Sequence, residues 1–500
     1  MQSRNLCSQK FFVFLISVLI LSYSLGLLSI PILVVRATTK YTYYGKVPNR
    51  LWMWSWSRTG PAETNGWSQT NPATAMLLAM VAWKNSTVVS VYDMETGELL
   101  SEAILNTMEK HYVVLNNGTM FKVESNEPLC VLLLNYGSVP APNATSGPVP
   151  HTYYPATDGS FVGKEFILLA STDANPQFVI YALEKADVTV IDEEGTTKSY
   201  SVDANSYTRI TLRPWRAYKI QSTGYIMIQT GNPHSYYDTH PSYAIPSANG
   251  IFFGKYFYTY SSSYWDPRED YGFIILSLER AKVKVYNLAE RAVLKEFTVE
   301  AEEPYRFQVE VREDPRTQAI FIESEKPVWL TFMHEGHIFK HVGRESAYGA
   351  GIIYVGVRPN EDTLIYLPKN ATCEAYIFTS EVANIKVDEG PVTLQPDKPF
   401  LLTQPGLHKI KSDKNLIILL IHWPLEFPWG YPEKTYPPGP QGLDYPGTVI
   451  PCVELVHVSH EIQIMLLEQL GTFPVTSIII AVVVVAIIAG VFILLRRRSK

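Results

Sequence analysis

The sequence contains little cysteine, little charge and no dense cluster of basic residues before its last few positions. Its four cysteines are Cys7, Cys130, Cys373 and Cys452, too few for the disulfide framework of a small secreted domain. A single disulfide bond remains open, and the sequence does not assign it. Charged residues make up 18% of the chain and the net charge is −6. Binding to nucleic acid needs concentrated positive charge, so we expect no nucleic-acid partner.

The sequence also lacks the common catalytic signatures. It contains no GxSxG motif, no convincing Ser/His/Asp or Cys/His order and no glycine-rich phosphate loop. Cys130 lies in an apolar stretch, where a thiol behaves as a small hydrophobic side chain. No segment before residue 475 stands out with the 3.6-residue periodicity of an amphipathic helix. We therefore predict a β-rich protein without catalytic residues and without a cofactor.

One phrase recurs four times along the chain. It consists of an aromatic or apolar start, a serine, a short turn and an apolar strand, as in FIESEKPVWLTFMHEG from Phe321. The other copies begin at Phe121, Tyr218 and His408, at intervals of roughly 90 to 100 residues. Each copy predicts a strand, a turn and a second strand. Such spacing indicates tandem copies of one domain.

Between these phrases, apolar and polar residues alternate, the pattern of strands with one buried face. The second copy contains about seven short strands in about 90 residues, which is typical of a β-sandwich. We therefore predict an all-β fold of about four tandem antiparallel β-sandwiches with a C-terminal transmembrane helix. The predicted sandwiches are 38–155, 156–250, 251–348 and 349–425, followed by a proline-rich stalk and membrane-proximal segment at 426–474.

Both ends of the chain are hydrophobic. Residues 475–495 carry no charged side chain and are long enough to cross a bilayer as a helix, and the basic tail 496–500 follows directly. Residues 1–37 combine basic residues, a long apolar stretch and small residues, as in a signal peptide or an uncleaved signal anchor. The expected location is the cell membrane, with a single span, the sandwiches outside and the tail in the cytoplasm.

Two further features fit a surface protein. The low cysteine content, the 31 tyrosines and the minimal basic tail favour a prokaryotic origin, archaeal in particular. Sequons for N-glycosylation, expected on an exported glycoprotein, occur at Asn85, Asn117, Asn143 and Asn370.

Tryptophan residues cluster near the start of the first predicted sandwich. Trp52, Trp54 and Trp56 alternate along the chain, so one face of a strand would carry all three. Such a face could contact a sugar or a partner protein. It could equally fill the first sandwich or a seam between domains, since tryptophan contributes a large buried area. The sequence leaves both interpretations open.

The segment HEGHIFKH offers the sharpest metal candidates, His334, His337 and His341. Imidazole groups are good ligands for zinc and copper. The spacing is not that of HExxH, however, and no helix is predicted here. Polar loop residues that pack against a neighbouring domain explain the segment better, so no metal is predicted.

Several of these patterns occur together in one known family. The second copy opens with GKEF at Gly163, IESEKPV precedes the last strand of the third copy, and YAIPSANGIFFGKYF joins the two. Over roughly residues 160–345 the chain resembles the N-terminal domain family of the IgG Fc-binding protein. The resemblance implies an extracellular β-rich adhesion or binding module without known catalysis. The second copy has STGYIM in place of KPV, and no residue role is carried over.

Together these features predict a membrane-anchored cell-surface repeat protein that acts in adhesion, partner binding or cell-envelope structure. Its partner would be an extracellular protein or a glycan, and self-assembly remains open. A surface hydrolase acting on glycans or peptides, metal-dependent or not, is one alternative and needs converging acids or a metal near His334. A solute-binding receptor is the other, and it needs a deep cleft between domains.

Overall fold

The computed structural model of the chain consists mainly of antiparallel β-strands. The residues that it describes are 41–49, 51–56, 67–73, 75–135, 152–170, 177–230, 243–261, 271–309, 318–334, 338–341, 344–347, 351–369, 371–424, 447–464 and 467. The predicted all-β class is confirmed. No helix within these ranges is long and apolar enough to cross a membrane. The predicted leader 1–37, the predicted span 475–495 and the tail 496–500 lie outside the described residues.

The strands group into four modules, each built from two sheets. Module 1 contains β1 (Tyr41–Lys46), β2 (Leu51–Trp56), β3 (Trp67–Ala73), β4 (Ala75–Ala82), β5 (Thr87–Asp93), β6 (Leu99–Leu105), β7 (Lys110–Asn116), β8 (Met120–Ser125), β9 (Leu129–Asn135) and, from the far end of the chain, β34 (Thr448–Val449). Its first sheet has the order β1-β8-β5-β6 and its second β34-β9-β4-β7, while β2 and β3 form a separate hairpin.

Module 2 shows how the two sheets are joined. Its strands are β10 (Thr152–Tyr154), β11 (Gly163–Ala170), β12 (Gln177–Ala182), β13 (Ala186–Asp192), β14 (Thr197–Val202), β15 (Ser206–Thr211) and β16 (Arg216–Thr230). The beginning of β16 pairs with β11 and β13, whereas its end pairs with β12 and β10. The seven strands therefore form one continuous sheet, which β16 carries from a first layer, β11-β16-β13-β14, into a second, β10-β16-β12-β15; each layer is called a sheet below.

Module 3 repeats this arrangement strand for strand. Its strands are β17 (Tyr243–Ala244), β18 (Phe253–Ser261), β19 (Tyr271–Ser277), β20 (Ala281–Asn287), β21 (Ala292–Val299), β22 (Tyr305–Phe307) and β23 (Gln318–His334). The long strand β23 again joins the first sheet, β18-β23-β20-β21, to the second, β17-β23-β19-β22. A hairpin of β24 (Ile338–His341) and β25 (Arg344–Ala347) follows.

Module 4 has the same order with the long strand divided. Its strands are β26 (Gly351–Val357), β27 (Thr363–Leu367), β28 (Ala371–Phe378), β29 (Ala383–Val387), β30 (Gly390–Leu394), β31 (Phe400–Leu402), β32 (Gly406–Ser412) and β33 (Leu416–Pro424). The first sheet is β27-β32-β29-β30 and the second is β26-β33-β28-β31. The strands β10 and β17 precede the starts at 156 and 251 that the sequence predicts for the second and third sandwiches.

The recurring serine phrase is the corner at which the chain passes from one sheet to the other. The sequence predicts two strands there, and modules 1 and 4 have two, β8 with β9 and β32 with β33. In modules 2 and 3 the backbone stays extended around the corner, so β16 and β23 are each one strand. A strand can bend between the two layers of a sandwich without leaving the extended conformation, which explains the difference.

Alternation along the strands decides which side chains fill each module. Val91, Val190 and Val285 hold equivalent places in the pattern, and all three are buried. Val387, the last residue of β29, is only partly buried. Among the largest buried side chains is Trp329, which is fully enclosed. Full burial of an apolar side chain contributes roughly 1.5 to 3 kcal/mol, so these alternating positions supply most of the driving force.

The second sheet of each module packs against the first sheet of the next. Strand β11 of module 2 lies against β4 and β9 of module 1, and β27 of module 4 lies against β19 and β23 of module 3. Tyr181 of module 2 and Tyr258 of module 3 have ring centroids 5.8 Å apart. Phe378 of module 4 stacks on Tyr44 of module 1 at 5.1 Å. The contacts therefore close into a cycle, all within the compact unit Lys40–Lys500.

Candidate functional site

A groove of about 980 Å³ opens between modules 3 and 4. Residues 247–256, from the β17–β18 connection and the start of β18, form one wall, and residues 358–362 of the β26–β27 connection form the other. Residues 460–464 from the far end of the chain run along it. Its volume lies at the upper end of the range of roughly 300 to 1,000 Å³ that is usual for small-molecule sites.

The charges that line the groove are mostly paired with one another. Arg358 lies 3.3 Å from Glu361, and Lys411 lies 3.3 Å from Asp362. Apolar side chains such as Leu278 share the lining with these polar groups. Within the described ranges, no cluster of three or more His, Cys, Asp or Glu side chains could hold a metal ion. The groove is thus a mixed polar and apolar surface without a marked charge.

The C-terminal residues 447–464, here called the strap, complete module 1. Thr448 and Val449 pair with β9, and the backbone N–H of Ile450 donates to the carbonyl of Val131 at 2.9 Å. Ile450 and Val453 are fully buried in the core of module 1. A short 3-10 helix over Val453–Leu455 follows. The sequence assigns residues 426–474 to a proline-rich stalk and a membrane-proximal segment. Within that range, the structure places Ile450, Cys452 and Val453 in the core of module 1.

The strap also touches the other three modules. Leu455 covers Gly159 of module 2, and Val456 covers Gly356 of module 4. The backbone N–H of His460 donates to the carbonyl of Asn249 in module 3 at 2.8 Å. One segment of the chain therefore bridges all four modules before it reaches the groove.

Gly159 allows a test of the contact between the strap and module 2. It has φ of +85°, and a Cβ added there would lie 2.3 Å from the Leu455 side chain. Gly195 has nearly the same φ, +84°, with nothing within 4 Å of an added Cβ. We expect Gly195→Ala to cost about 1 kcal/mol from left-handed strain. We expect Gly159→Ala to cost about 2 kcal/mol, because crowding against Leu455 adds to that strain.

Chemical denaturation of both variants measures this difference. Equal losses of unfolding free energy in Gly159→Ala and Gly195→Ala would show that Leu455 does not pack closely against Gly159 of module 2.

The seam between modules 4 and 1 contains a network of charged and hydroxyl groups. The hydroxyl of Tyr44 donates to Asp397 at 2.7 Å, and Lys122 lies 2.5 Å from the other oxygen of that carboxylate. Burial opposes the charge on Lys122, but its bonds to Asp397 and Glu124 outweigh burial, so the pKa of the ammonium is raised. Lys122 and Asp397 therefore form a charged pair across the seam.

A second lysine lies in the same seam. Lys46 contacts the Tyr376 hydroxyl and lies 3.5 Å from Glu374, to which that hydroxyl donates at 2.7 Å. Burial, and then the bond to Glu374, raise the pKa of Tyr376. The phenol thus stays neutral and donates to the carboxylate. The charges of modules 1 and 4 are therefore matched across the seam, with Lys46 and Glu374 largely buried and Asp397 42% exposed.

The seam between modules 2 and 3 is held by tyrosines. The hydroxyl of Tyr153 donates to the carbonyl of Tyr258 at 2.6 Å, and the hydroxyl of Tyr258 donates to Asn205 at 2.8 Å. Tyr181 donates to Gln229 at 2.8 Å. All three tyrosines are buried, and burial raises the pKa of each. These three tyrosines therefore lie in the contact between modules 2 and 3 and not on an exposed surface.

The structure describes the backbone of two of the three predicted metal candidates. His334 is the last residue of β23 and pairs with Tyr271, while His341 ends β24 and pairs with Arg344. His337 lies outside the described residues.

The other predicted positions fall on loops and on the separate hairpin. Trp52, Trp54 and Trp56 lie on β2, which pairs with β3, and a register shift follows Trp52. Asn85 is exposed in the turn between β4 and β5, and Asn117 is partly buried in the turn between β7 and β8. Asn143 and Asn370 lie outside the described residues.

The cysteines in the described ranges are free thiols. Cys130, Cys373 and Cys452 are all buried and none forms a disulfide bond. Burial raises the pKa of the Cys130 thiol to about 12, so it is protonated at neutral pH. Cys7 lies outside the described residues.

Sequence reasoning missed the strap as part of module 1, although a signal for it exists. Residues 448–451 read TVIP, residues 152–155 read TYYP and residues 243–246 read YAIP. These three segments hold the equivalent strands β34, β10 and β17. The shared pattern is only four residues long, and in the strap no GK sequence follows it. The sequence alone therefore does not identify the strap as a strand of module 1.

Comparison with known proteins gives little further information. No family model matches the chain, and no curated protein matches it. Among solved structures, the chain is similar to a mutant of Bacillus subtilis oxalate decarboxylase OxdC, with 11% sequence identity over 60% of this chain and 69% of that one. The TM-score is 0.12, and a value so low carries no argument about fold or activity.

Proposed function

We propose that this protein is a membrane-anchored cell-surface scaffold of four β-sandwich repeats. It acts in adhesion, partner binding or cell-envelope structure, and it is not an enzyme. The observation that supports this most is the closed cycle of contacts, in which each module uses its two outer faces to hold its neighbours. A scaffold locked in this way presents its loops and outer edges at fixed positions.

The remaining parts of the proposal come from the sequence. The apolar segment 475–495 anchors the chain in the cell membrane, with the modules outside and residues 496–500 in the cytoplasm. The leader 1–37 directs export, and the sequons carry glycans on an archaeal surface protein. The partner is an extracellular protein or a glycan. The resemblance to the N-terminal domain family of the IgG Fc-binding protein agrees with such a binding role.

Surface labelling tests the location. We would compare the full chain with a chain that ends at residue 474, both expressed in cells. The full chain should stay with the cells and react with a membrane-impermeant amine reagent, whereas the shorter chain should appear in the medium. Retention of both chains inside the cells would contradict the proposal.

The tryptophan cluster supplies a prediction about the partner surface. If Trp52, Trp54 and Trp56 contact a partner, replacing all three by alanine should abolish binding of the protein to cell-envelope preparations. The thermal midpoint should fall by less than about 2 °C, because exposed side chains contribute little to stability.

Both quantities are measured on the same protein, by surface plasmon resonance and by calorimetry. A large loss of thermal stability would instead assign the three side chains to a core or a seam, where each Trp→Ala change costs roughly 3 to 5 kcal/mol.

A solute-binding receptor is the second candidate, and one observation favours it. The groove between modules 3 and 4 has the size and mixed lining of a small-molecule site. A ligand at about 100 times its Kd would stabilise the folded protein by about 2.7 kcal/mol. A thermal-shift screen with sugars, amino acids and short peptides would show such a ligand. Stabilisation that is lost in Asp362→Ala would move the receptor ahead of the scaffold.

A further inference from the structure

The strand β34 occupies the same position in module 1 as one strand in each of the other modules, but it is connected to its module differently. It is equivalent to β10, β17 and β26, each at the inner edge of the second sheet of its module. Residues from all four strands line one small cavity of about 20 Å³ where the modules meet. In modules 2, 3 and 4 the chain passes from this strand to the next through short connections, 155–162, 245–252 and 358–362.

Module 1 lacks such a connection. Its inner strand β34 lies near the end of the described chain, whereas the equivalent next strand, β1, lies at its beginning. The segment that completes module 1 is therefore attached only through module 4 and residues 425–446. The strap therefore binds module 1 as a ligand would, although residues 425–446 join it covalently to the same chain.

The strap fills a defined slot on module 1. Its backbone pairs with β9 along Leu132 and Leu133, and its side chains Ile450, Cys452 and Val453 enter the module core. Glu454 accepts a hydrogen bond from the backbone N–H of Thr42 at 2.7 Å. Without the strap, these groups would leave an open sheet edge beside an exposed core, which is the site that strand addition uses.

The tether consists of residues 425–446, which join β33 to the strap. Strand β33, which precedes it, already belongs to a module that contacts β1 of module 1. The tether has 22 residues, and a fully extended chain of that length reaches at most about 75 Å. That reach allows the strap to find a slot on its own chain or on a neighbouring one.

We propose that the strap of one copy can complete module 1 of a second copy, so that the protein assembles with itself by strand exchange. The exchanged form makes the same strap contacts as the closed monomer. Tether length and protein concentration therefore decide between the two forms. The occupant of the slot in the assembly is a second copy of this chain. This inference does not rest on the proposed function.

Shortening the tether tests the proposal directly. Removing residues 428–441 from the full chain should prevent closure within one copy and shift the protein from monomers to dimers or longer chains. Native mass spectrometry over a range of protein concentrations measures this shift. A matched control replaces the same residues by a Gly/Ser sequence of equal length and should behave like the natural chain. A folded shortened variant that stays monomeric at every concentration, while amide hydrogen exchange shows its strap detached from β9, would overturn the proposal.

Two substitutions in the shortened chain identify the surface that holds the copies together. Ile450→Asp puts a charge into the slot and should abolish the assembly. Ile104→Asp, on the free edge strand β6 where this side chain is 69% exposed, should leave the assembly intact. The reverse pattern would assign the contact to the β6 edge and overturn strand exchange.

If the shortened chain does not fold, or still closes on its own module 1, a second measurement decides. A protease site placed among residues 425–446 of the full chain allows the tether to be cut after folding. An isotopically labelled peptide with the sequence of residues 447–467 should then exchange into the slot, as seen by mass spectrometry under native conditions. Failure of the labelled peptide to enter while the remainder stays folded would overturn the proposal.

Discussion

Replacing Ile450 by alanine is expected to lower the free energy of unfolding by about 2 to 5 kcal/mol. Ile450 is fully buried in module 1, although more than 300 residues separate it from that module along the chain. The substitution removes apolar atoms and leaves a cavity beside β9, where the rest of the strap holds the backbone in place. Chemical denaturation measures the loss, and amide hydrogen exchange should place the largest increase in opening at β9 and β34.

Ile104→Ala is the matched control. The same atoms are removed from a side chain that is 69% exposed, so the cost should stay within about 0.5 kcal/mol. Similar costs for the two variants would mean that the strap does not form part of the module 1 core.

The second large effect is expected at Lys46. The side chains of Lys46 and Glu374 are only 9% and 19% exposed, and Tyr376 lies between them. Lys46→Met keeps most of the apolar stem but leaves the Glu374 carboxylate without its cation in a nearly dry seam. Removal of one partner from a buried pair costs roughly 3 to 5 kcal/mol, and the partial exposure of Glu374 places the expected cost at about 3 kcal/mol.

Lys84→Met provides the matched control for Lys46→Met. Lys84 lies 2.8 Å from Glu127, but its side chain is 56% exposed, so the loss should not exceed about 1 kcal/mol. Adding Glu374→Leu to Lys46→Met should recover part of the stability, because no buried charge then lacks its partner. If the double variant is less stable than Lys46→Met, the seam is held by something other than charge matching.

The strands of the modules could be predicted from the sequence because period-two alternation reports burial on one face. The sequence predicts about seven short strands in the second copy. The structure has six there, β11 to β16, because the last two are continuous around the corner. Val91 and Val285 lie in their cores as the pattern indicates.

The seams could not be predicted in the same way. All six residues of β1, YTYYGK, are buried, because one face meets the core of module 1 and the other meets module 4. Alternation shows that a face is buried but not which module covers it. The polar residues Lys46 and Lys122 look like solvent-facing positions until Glu374 and Asp397 are placed opposite them.

The groove was beyond sequence reasoning for a related reason. Its walls come from connections in modules 3 and 4 and from the strap, three segments that are far apart in the chain. Residues 458–464 alternate between half-buried and exposed side chains, as a strand would, yet they form no strand in the structure. Their place is set by contacts such as that of His460 with Asn249, which depend on the modules being assembled first.

The position of the strap in the sequence also means that module 1 can be completed only late in synthesis. Module 1 leaves the ribosome first, yet β9 has no neighbour on one side until residues 448 and 449 have been translated. A chain that stops early therefore keeps an unpaired sheet edge beside an uncovered core, whatever the state of modules 2 and 3. Only a strap, from the same chain or from a second copy, closes that edge, so proteases and chaperones that recognise exposed strands can separate chains with a closed edge from chains with an open one.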